Sequence, residues 1–274
     1  MAALEKINPK NAQTVDLLVQ LAEVAEHDED IYRCVICRDT GWYSTESGAC
    51  LCSCGQEDTL LLRRRQAGLS AALDNLRFTN FDLRFYATHR QLENGQTYRQ
   101  LAEKALRSAK GFVAAEMRGE NPRGLYYEGT LGSGKTFLAA AIANELAERD
   151  IDTHFVVVPE FLEKLRLSYG SQPDSNEYNE AEIMRRALTA RILVLDDLGA
   201  HNSTPWTISK MYTLLNHRLN HNLPCVITTN LKLDTIAEEL GARTASRLQE
   251  MCHRFLLVND TDIRSQKSGG MGWS

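Results

Sequence analysis

The stretch Gly129-Thr130-Leu131-Gly132-Ser133-Gly134-Lys135-Thr136 decides the fold class of this chain. It fits the phosphate-loop pattern, in which a glycine and four further residues precede Gly-Lys-Thr. Its glycines let the backbone approach phosphate oxygens, and the unpaired N–H groups that open the following helix favour an anion. Lys135 adds a charge for the β- and γ-phosphates, and the Thr136 hydroxyl is placed to bind Mg²⁺. We predict that all eight residues bind a nucleoside triphosphate; the alternative is a glycine-rich turn with a solvated lysine.

The residues around this stretch have the strand–loop–helix arrangement that a phosphate loop requires. A short strand, Leu125-Tyr126-Tyr127, precedes it, and apolar residues recur every four positions after it, at Leu138, Ile142 and Leu146. Further along the chain, apolar or β-branched strands alternate with helices. This alternation predicts an α/β fold in which a parallel sheet is sandwiched by helices. The further predicted strands span Thr153–Val158, Arg191–Asp196, Pro224–Asn230 and Arg254–Val258.

Composition and charge narrow the class of protein. The chain has 274 residues, 43% of them hydrophobic, which suits one large domain or one domain with a small module. A net charge of −5 gives no global attraction to nucleic acid or membrane, so any DNA contact has to be local. No apolar run reaches the length of a membrane span, and the N-terminus lacks the apolar segment of a signal peptide. We therefore expect a cytoplasmic protein without a membrane partner.

Five of the seven cysteines fall within 21 residues. Cys34 and Cys37 form a C-x₂-C turn, and Cys50, Cys52 and Cys54 offer two further ligands at C-x-C spacing. Four thiolates suit one Zn²⁺, and metal binding would supply folding energy to a segment with little core of its own. We take Cys34, Cys37, Cys50 and Cys52 as the ligands, with Cys54 as the alternate. An iron–sulfur cluster and a redox C-x₂-C pair are the other interpretations.

Polar residues end two of the predicted strands, at the edge of the sheet where nucleotides bind. We expect Asp196 to hold Mg²⁺, directly or through water, and Asp197 to orient or deprotonate the attacking water. Asn230 ends the next strand and would reach the γ-phosphate or the same water. Paired acids also end strands without a catalytic role, and Asn230 could be a turn residue only.

Arginines occur in two groups that could act on phosphate. Arg243 and Arg247 are four residues apart on one helix face, from which one could reach the γ-phosphate of a neighbouring subunit; surface arginines are the alternative. The run Arg63-Arg64-Arg65 could bind nucleic acid or form a solvated helix face.

Several motifs taken together resemble a known family. GTLGSGKT, LVLDDLGA, ITTN and GARTASRL, in this order, resemble the AAA+ ATPases. Within them the chain resembles the DnaC/DnaI group of replicative-helicase loaders, with the transposase helper IstB as a close relative. RFTNFD ahead of the ATPase core, Trp206 after LDDLGA, and the C-x₂-C-x-D-T-G-W module at Cys34–Trp42 are also typical of that group. The resemblance covers nearly the whole chain.

The resemblance implies an ATP-dependent protein that loads a hexameric DnaB-type helicase onto single-stranded DNA. ATP-bound protomers would associate side by side, with Arg247 as the arginine finger and Arg243 as the alternate. Arg264 lies where the loaders carry a sensor arginine. Tyr169, Thr204 and Trp206 fall where loaders contact DNA, although core packing is the other interpretation of the two aromatic residues. The N-terminal module would dock on the helicase.

Two features depart from the family pattern. Many AAA+ proteins have glutamate where this chain has Asp197, and the shorter carboxylate implies slow hydrolysis. Only some 16 residues follow the last predicted strand, which implies a reduced or absent C-terminal lid and leaves the role of Arg264 open. The expected segments are a helicase-binding zinc module at 1–70, a connector at 71–120, the ATPase domain at 121–264 and a disordered tail at 265–274.

Two other functions fit the same motifs. One is an IstB-like helper that delivers a transposase to DNA. The cysteine module argues against this function, because IstB usually lacks such a module. The other is a nucleotide-gated adaptor that scarcely hydrolyses ATP.

Overall fold

The computed structural model describes residues 34–45, 48–168 and 180–268. The chain divides into two compact units, Met1–Leu61 and Leu62–Ser274. No helix in the described ranges has both the length and the apolar composition that crossing a bilayer requires. Each unit is described separately below.

The first unit contains a small antiparallel hairpin, formed by β1 (Trp42–Thr45) and β2 (Gly48–Leu51), and the beginning of α1 (Ser53–Gln66). A turn that carries Cys34 and Cys37 precedes the hairpin. The chain then returns to this turn, because Gly41 and Gly55 pack backbone to backbone: a Cβ atom on Gly55 would lie 2.8 Å from the Gly41 carbonyl oxygen. Cys52 N–H also donates to the Gly41 carbonyl, at 2.8 Å. These contacts bring the two cysteine motifs together.

The second unit contains a five-stranded sheet in which each pair of neighbouring strands is parallel. Its strand order is β4-β5-β6-β3-β7. Every residue of β5 and β6 is buried, as expected for strands that are covered on both faces. The strands are β3 (Gly124–Gly129), β4 (Thr153–Val157), β5 (Ile192–Asp196), β6 (Cys225–Thr229) and β7 (Cys252–Leu257).

Helices cover both faces of this sheet, which confirms the predicted fold class. Buried side chains from α2 (Tyr98–Met117) and α3 (Lys135–Glu148) form one core. The other core contains side chains from five further helices. These are α4 (Val158–Leu167), α5 (Glu180–Thr189), α6 (Pro205–Asn220), α7 (Leu233–Leu240) and α8 (Ala242–Met251).

The strand order determines which loops meet. β3 lies between β6 and β7, so the chain leaves β3 in one direction through α3 and reaches β7 from the opposite side through α7 and α8. This change of direction opens a crevice at the carboxyl ends of the strands. The phosphate loop, the acids at the end of β5 and the polar residues at the end of β6 all lie at that edge.

The arginine run lies in the last turn of α1, and each guanidinium has an acidic partner. Arg63 pairs with Asp150, Arg64 with Glu148 and Arg65 with Asp74. These acids neutralise the run, and Glu148 and Asp150 attach it to the C-terminal end of α3. The contacts favour a structural role over the nucleic-acid interpretation.

A last short helix, α9 (Ile263–Ser268), extends into the segment that the sequence predicts to be a disordered tail. Asp262 initiates it: its carboxylate accepts the Arg264 N–H at 2.8 Å, and its carbonyl accepts the Ser265 N–H at 3.1 Å. Residues 269–274 lie outside the described ranges.

Candidate functional site

The phosphate loop connects β3 to α3, and its backbone requires glycine at three positions. Gly129, Gly132 and Gly134 have φ values of +146°, +67° and +92°. A Cβ atom on Gly129 would lie 1.6 Å from the Leu257 carbonyl oxygen, and one on Gly132 would lie 2.1 Å from Asp262 Oδ1. Any side chain here would therefore displace the neighbouring backbone or strain the loop. The resulting cradle fits a chain of phosphates.

Lys135 lies within this cradle and is only 6% exposed. Its ammonium group donates to the carbonyl oxygens of Thr130, at 2.7 Å, and of Gly129, at 3.1 Å. Burial lowers the pKa of Lys135 to about 8, and the nearby carboxylates of Asp197 and Asp196 oppose this shift. A third acceptor is Ser133 Oγ at 3.5 Å, and since all three acceptors are neutral, a phosphate oxygen would be a stronger partner for the ammonium.

Arg264 acts on the same site from α9. Its charge contributes to the lowered pKa of Lys135, so the guanidinium lies within electrostatic reach of the phosphate loop. Its Nε contacts Asp262 Oδ1 at 3.3 Å. The structure thus brings the predicted sensor arginine to the loop, and its role in sensing nucleotide stays a prediction.

Asp196 ends β5 and is 6% exposed. Burial raises the pKa of its carboxyl group, while hydrogen bonds from Thr228 and Thr136 lower it. The contact with Thr136 brings the two predicted magnesium ligands together. A hydroxyl and a carboxylate beside a phosphate cradle match the oxygen ligands that Mg²⁺ prefers.

Asp197 has a left-handed backbone, with a φ of +61°. Two contacts hold it in this conformation: its N–H donates to Thr228 Oγ1 at 2.9 Å, and Asn230 Nδ2 donates to its Oδ1 at 2.9 Å. The structure therefore brings Asp197 and Asn230, from neighbouring strand ends, into direct contact. A carboxylate held by an amide donor could orient a water molecule, which is the predicted role of this pair.

Thr228 is a site residue that the sequence did not single out. Its hydroxyl donates to Asp196 Oδ1 at 2.7 Å and accepts the Asp197 N–H, so that one side chain orders both acids. It is 1% exposed. The sequence did offer one signal for this role, a hydroxyl residue within the last two positions of a predicted buried strand. Only the strand order shows which acids that hydroxyl faces.

Arg243 and Arg247 lie one turn apart on α8. Arg247 pairs with Glu250 at 3.1 Å and hydrogen bonds to Tyr212, which raises the pKa of its guanidinium. Arg243 is exposed and forms no ion pair with any residue in the described ranges. Both finger assignments stay predictions.

The predicted DNA-contacting residues have different surroundings. Thr204 caps α6, because its hydroxyl accepts the Thr207 N–H at 3.2 Å. Trp206 is half-buried against the core on that side of the sheet, and it lines a cavity of about 730 Å³ together with Arg166 and His201. Tyr169 lies outside the described residues. Thr204 and Trp206 thus lie beside one surface cavity, and DNA contact stays a prediction for all three.

The cysteine cluster differs from the set taken from the sequence. The sulfur atoms of Cys34, Cys37, Cys52 and Cys54 lie within 4.8 Å of one another. Tetrahedral coordination of Zn²⁺ by thiolates places sulfur atoms about 3.8 Å apart, so these four fit one ion. Hydrogen bonding by the Cys37 backbone lowers the pKa of Cys34, which favours a thiolate there, whereas the hydrogen bond with the Cys37 side chain raises the pKa of Cys54.

Cys50, which we took from the sequence as a ligand, is not part of this group, and the alternate Cys54 takes its place. Cys50 lies within β2, where it pairs with Tyr43 across the hairpin and its sulfur lies 3.7 Å from Thr45 Oγ1. The helical turn that begins at Ser53 instead brings Cys54 back beside Cys37, with 3.1 Å between their sulfur atoms.

A model of the IstB-like ATP-binding protein family matches residues 86–268, which is more than half of the chain. The chain belongs to this family. Over 115 residues it is 38% identical to the replicative helicase loader DnaI of Bacillus subtilis (strain 168), a match that covers 42% of this chain and 35% of that relative. Over 165 residues it is 24% identical to the replicative helicase loader DnaC of Escherichia coli (strain K12), covering 60% of this chain and 65% of the relative.

A solved structure agrees with these matches. The crystal structure of DnaI is similar to this chain with a TM-score of 0.55 and 27% identity, over 71% of this chain and 94% of that one. The sequence match spans about a third of the length of Bacillus DnaI. The match to the IstB-like family includes the phosphate loop, both acids, Asn230 and Arg264, and it begins after the cysteine cluster.

Proposed function

We propose that this chain is an ATPase that loads a hexameric replicative helicase of the DnaB type onto single-stranded DNA. The observation that carries the proposal is the contact between Thr136 and Asp196 at a glycine cradle, in a chain similar to two replicative helicase loaders. The cradle suits the phosphates of ATP, and the hydroxyl–carboxylate pair suits Mg²⁺.

In this proposal each site residue has a separate role in ATP binding or hydrolysis. Gly129–Thr136 bind the phosphates, and Asp196 holds Mg²⁺ with Thr136. Asp197 orients the attacking water, and Asn230 fixes the Asp197 carboxylate. Arg264, which lies close enough to Lys135 to affect its pKa, senses bound nucleotide. The short side chain of Asp197 reaches less far than a glutamate would, so we expect slow hydrolysis.

Side-by-side assembly of ATP-bound copies would complete the site. Arg247 is the proposed finger, and Arg243 is the alternate. Arg247 would first have to leave Glu250, to which it is paired within its own helix, whereas Arg243 is exposed. Separate Arg243→Ala and Arg247→Ala variants distinguish them: the finger variant should bind ATP normally and lose hydrolysis and self-association.

The cysteine module would supply the docking surface for the helicase. Zn²⁺ bound by Cys34, Cys37, Cys52 and Cys54 would provide the folding energy that so small a segment cannot obtain from a core. Single-stranded DNA would lie along the cavity beside Trp206 and Thr204.

The test is a loading assay on circular single-stranded DNA with a DnaB-type helicase. Lys135→Ala removes the ammonium that the phosphates require, so it should abolish ATP binding and loading. Lys104→Ala is the matched control, because Lys104 is an exposed lysine on α2. Loading by Lys135→Ala at the wild-type rate would show that the proposed mechanism is wrong.

A transposase helper is the second candidate, and the family match favours it because the family is described as IstB-like. A pull-down with the amino-terminal domain of the helicase separates the two, since a transposase helper should not bind it at micromolar concentration. An adaptor with little hydrolysis is distinguished by phosphate release with single-stranded DNA, measured against an Asp196→Asn background.

A further inference from the structure

A buried tyrosine outside the strand–loop–helix motif contacts the phosphate loop. Tyr86 is 2% exposed, and its hydroxyl donates to the Ser133 carbonyl oxygen at 2.7 Å. The same hydroxyl lies directly against the next residue, since a Cβ atom on Gly134 would be 2.6 Å from it. Tyr86 therefore touches the last peptide of the loop before Lys135.

This contact constrains the orientation of one peptide group. The C=O and N–H of a trans peptide point in opposite directions. A donor that holds the Ser133 carbonyl on one side of the loop therefore turns the Gly134 N–H toward the other side. That side is the concave face on which backbone N–H groups cradle phosphate oxygens in loops of this type.

The tyrosine is itself held in place. Its ring stacks on Phe81, with 5.6 Å between centroids, and Phe81 meets Phe137 edge-on at 5.5 Å. The adjacent Ala87 carbonyl accepts the Arg99 N–H from the start of α2 at 3.2 Å. Burial raises the pKa of the phenol well above its ordinary value, so the hydroxyl stays a donor. The donor is thus fixed before nucleotide arrives, and a neutral donor does not compete with Lys135 for the phosphates.

We propose that Tyr86 is a positioning residue for nucleotide binding, which holds the Ser133–Gly134 peptide with its N–H toward the phosphates. This role rests on the proposed nucleotide site and adds a residue that the phosphate-loop pattern does not contain. The phenol touches neither the acids nor Arg264 in the contacts described above. Its loss should therefore weaken binding of the phosphates without slowing the chemical step.

The test compares Tyr86→Phe with Tyr127→Phe. Tyr127 is the matched control, because it is fully buried and its hydroxyl lies 3.2 Å from Ser108 Oγ on α2. Each variant loses one buried hydroxyl, but only Tyr86→Phe loses the contact with the loop. We expect Tyr86→Phe to raise the Kd for ATP and for ADP by the same factor, about 2- to 10-fold, the range that one net hydrogen bond corresponds to.

The rate of phosphate release at saturating ATP should be unchanged in Tyr86→Phe, and the Kd of Tyr127→Phe should match that of wild type. An unchanged Kd in Tyr86→Phe, an equal rise in both variants, or a lowered saturated rate would overturn the positioning role. If wild type itself fails to bind ATP, the proposed function fails instead, so the two failures are distinguishable.

A second variant covers the case in which Tyr86→Phe does not fold. Incorporation of 3-fluorotyrosine at position 86 keeps the ring and the hydroxyl and makes the phenol a stronger donor. Its Kd for ATP should be equal to or below that of wild type. A weaker affinity in this folded protein would overturn the proposal.

Discussion

Thr228→Val is the substitution that most directly tests the arrangement of the two acids. Valine has nearly the volume of threonine but no hydroxyl, so the change removes the bond to Asp196 Oδ1 and leaves the Asp197 N–H without its acceptor. Thr228 is 1% exposed, and water cannot replace the hydroxyl without rearrangement. The variant therefore removes two hydrogen bonds without opening a cavity.

The magnitude follows from the kinds of bond that are lost. A hydrogen bond to a charged group contributes about 1.5–3 kcal/mol, and a buried amide left unpaired costs about 1–3 kcal/mol. Because the Asp197 amide is only partly buried, we expect a total loss of about 3 kcal/mol. For a domain of this size that lowers the Tm by about 6–12 °C.

The loss should also depend on pH, with a definite sign. Burial raises the pKa of Asp196 in the folded state, and the Thr228 hydroxyl opposes that shift. A carboxyl group whose pKa is raised by folding adds stability below that pKa and loses it as pH rises through it. Removal of the hydroxyl raises the pKa further, so the cost of Thr228→Val should be larger at pH 8 than at pH 5.

The assays are urea unfolding at both pH values and a Mg²⁺ titration of ATP affinity. Thr229→Val is the control, because the Thr229 hydroxyl donates to the Leu198 carbonyl at 2.6 Å and touches neither acid. We expect Thr228→Val alone to need several-fold more Mg²⁺ for half-maximal ATP affinity. Equal responses of the two variants to pH and Mg²⁺ would refute the proposed role of Thr228 in ordering the acids.

Three further predictions concern other parts of the chain. Lys135 has a pKa of about 8 without nucleotide, so bound phosphates should protonate it and ATP binding at pH 8.5 should take up protons. Calorimetry in two buffers of different ionisation enthalpy measures this uptake, and its absence would contradict the assignment. Arg218 is fully buried and donates to five backbone carbonyls. Arg218→Met should therefore lower the free energy of unfolding in urea by more than about 3 kcal/mol. The control Arg118→Met changes an exposed arginine and should lower it by less than about 1 kcal/mol. Cys54→Ser should lower the zinc content of purified protein well below one per chain, and Cys50→Ser should leave it unchanged; the reverse result would restore the set taken from the sequence.

The local features of the ATPase unit could be predicted from the sequence because each depends on neighbours along the chain. Continuous apolar runs predicted the strands β5 and β6: β5 begins one residue later than expected, and β6 is one residue shorter at each end. The glycines of the phosphate loop were predicted from what backbone near a phosphate requires, and all three have positive φ.

The choice among the clustered cysteines could not be predicted. Cys50 and Cys54 each stand two residues from Cys52, so spacing treats them alike. The strand keeps Cys50 extended, whereas the first turn of α1 folds Cys54 back. The boundary between strand and helix decides the ligand set.

The sequence by itself determined that this chain has a phosphate loop on a parallel α/β sheet, because periodicity and glycine placement are properties of short segments. Only the tertiary structure decided that Thr228 orders Asp196 and Asp197, and that Tyr86 holds the loop from 47 residues away. Such pairs form because the strand order and the packing of connecting segments bring distant residues to the same edge of the sheet, and no local pattern specifies that proximity.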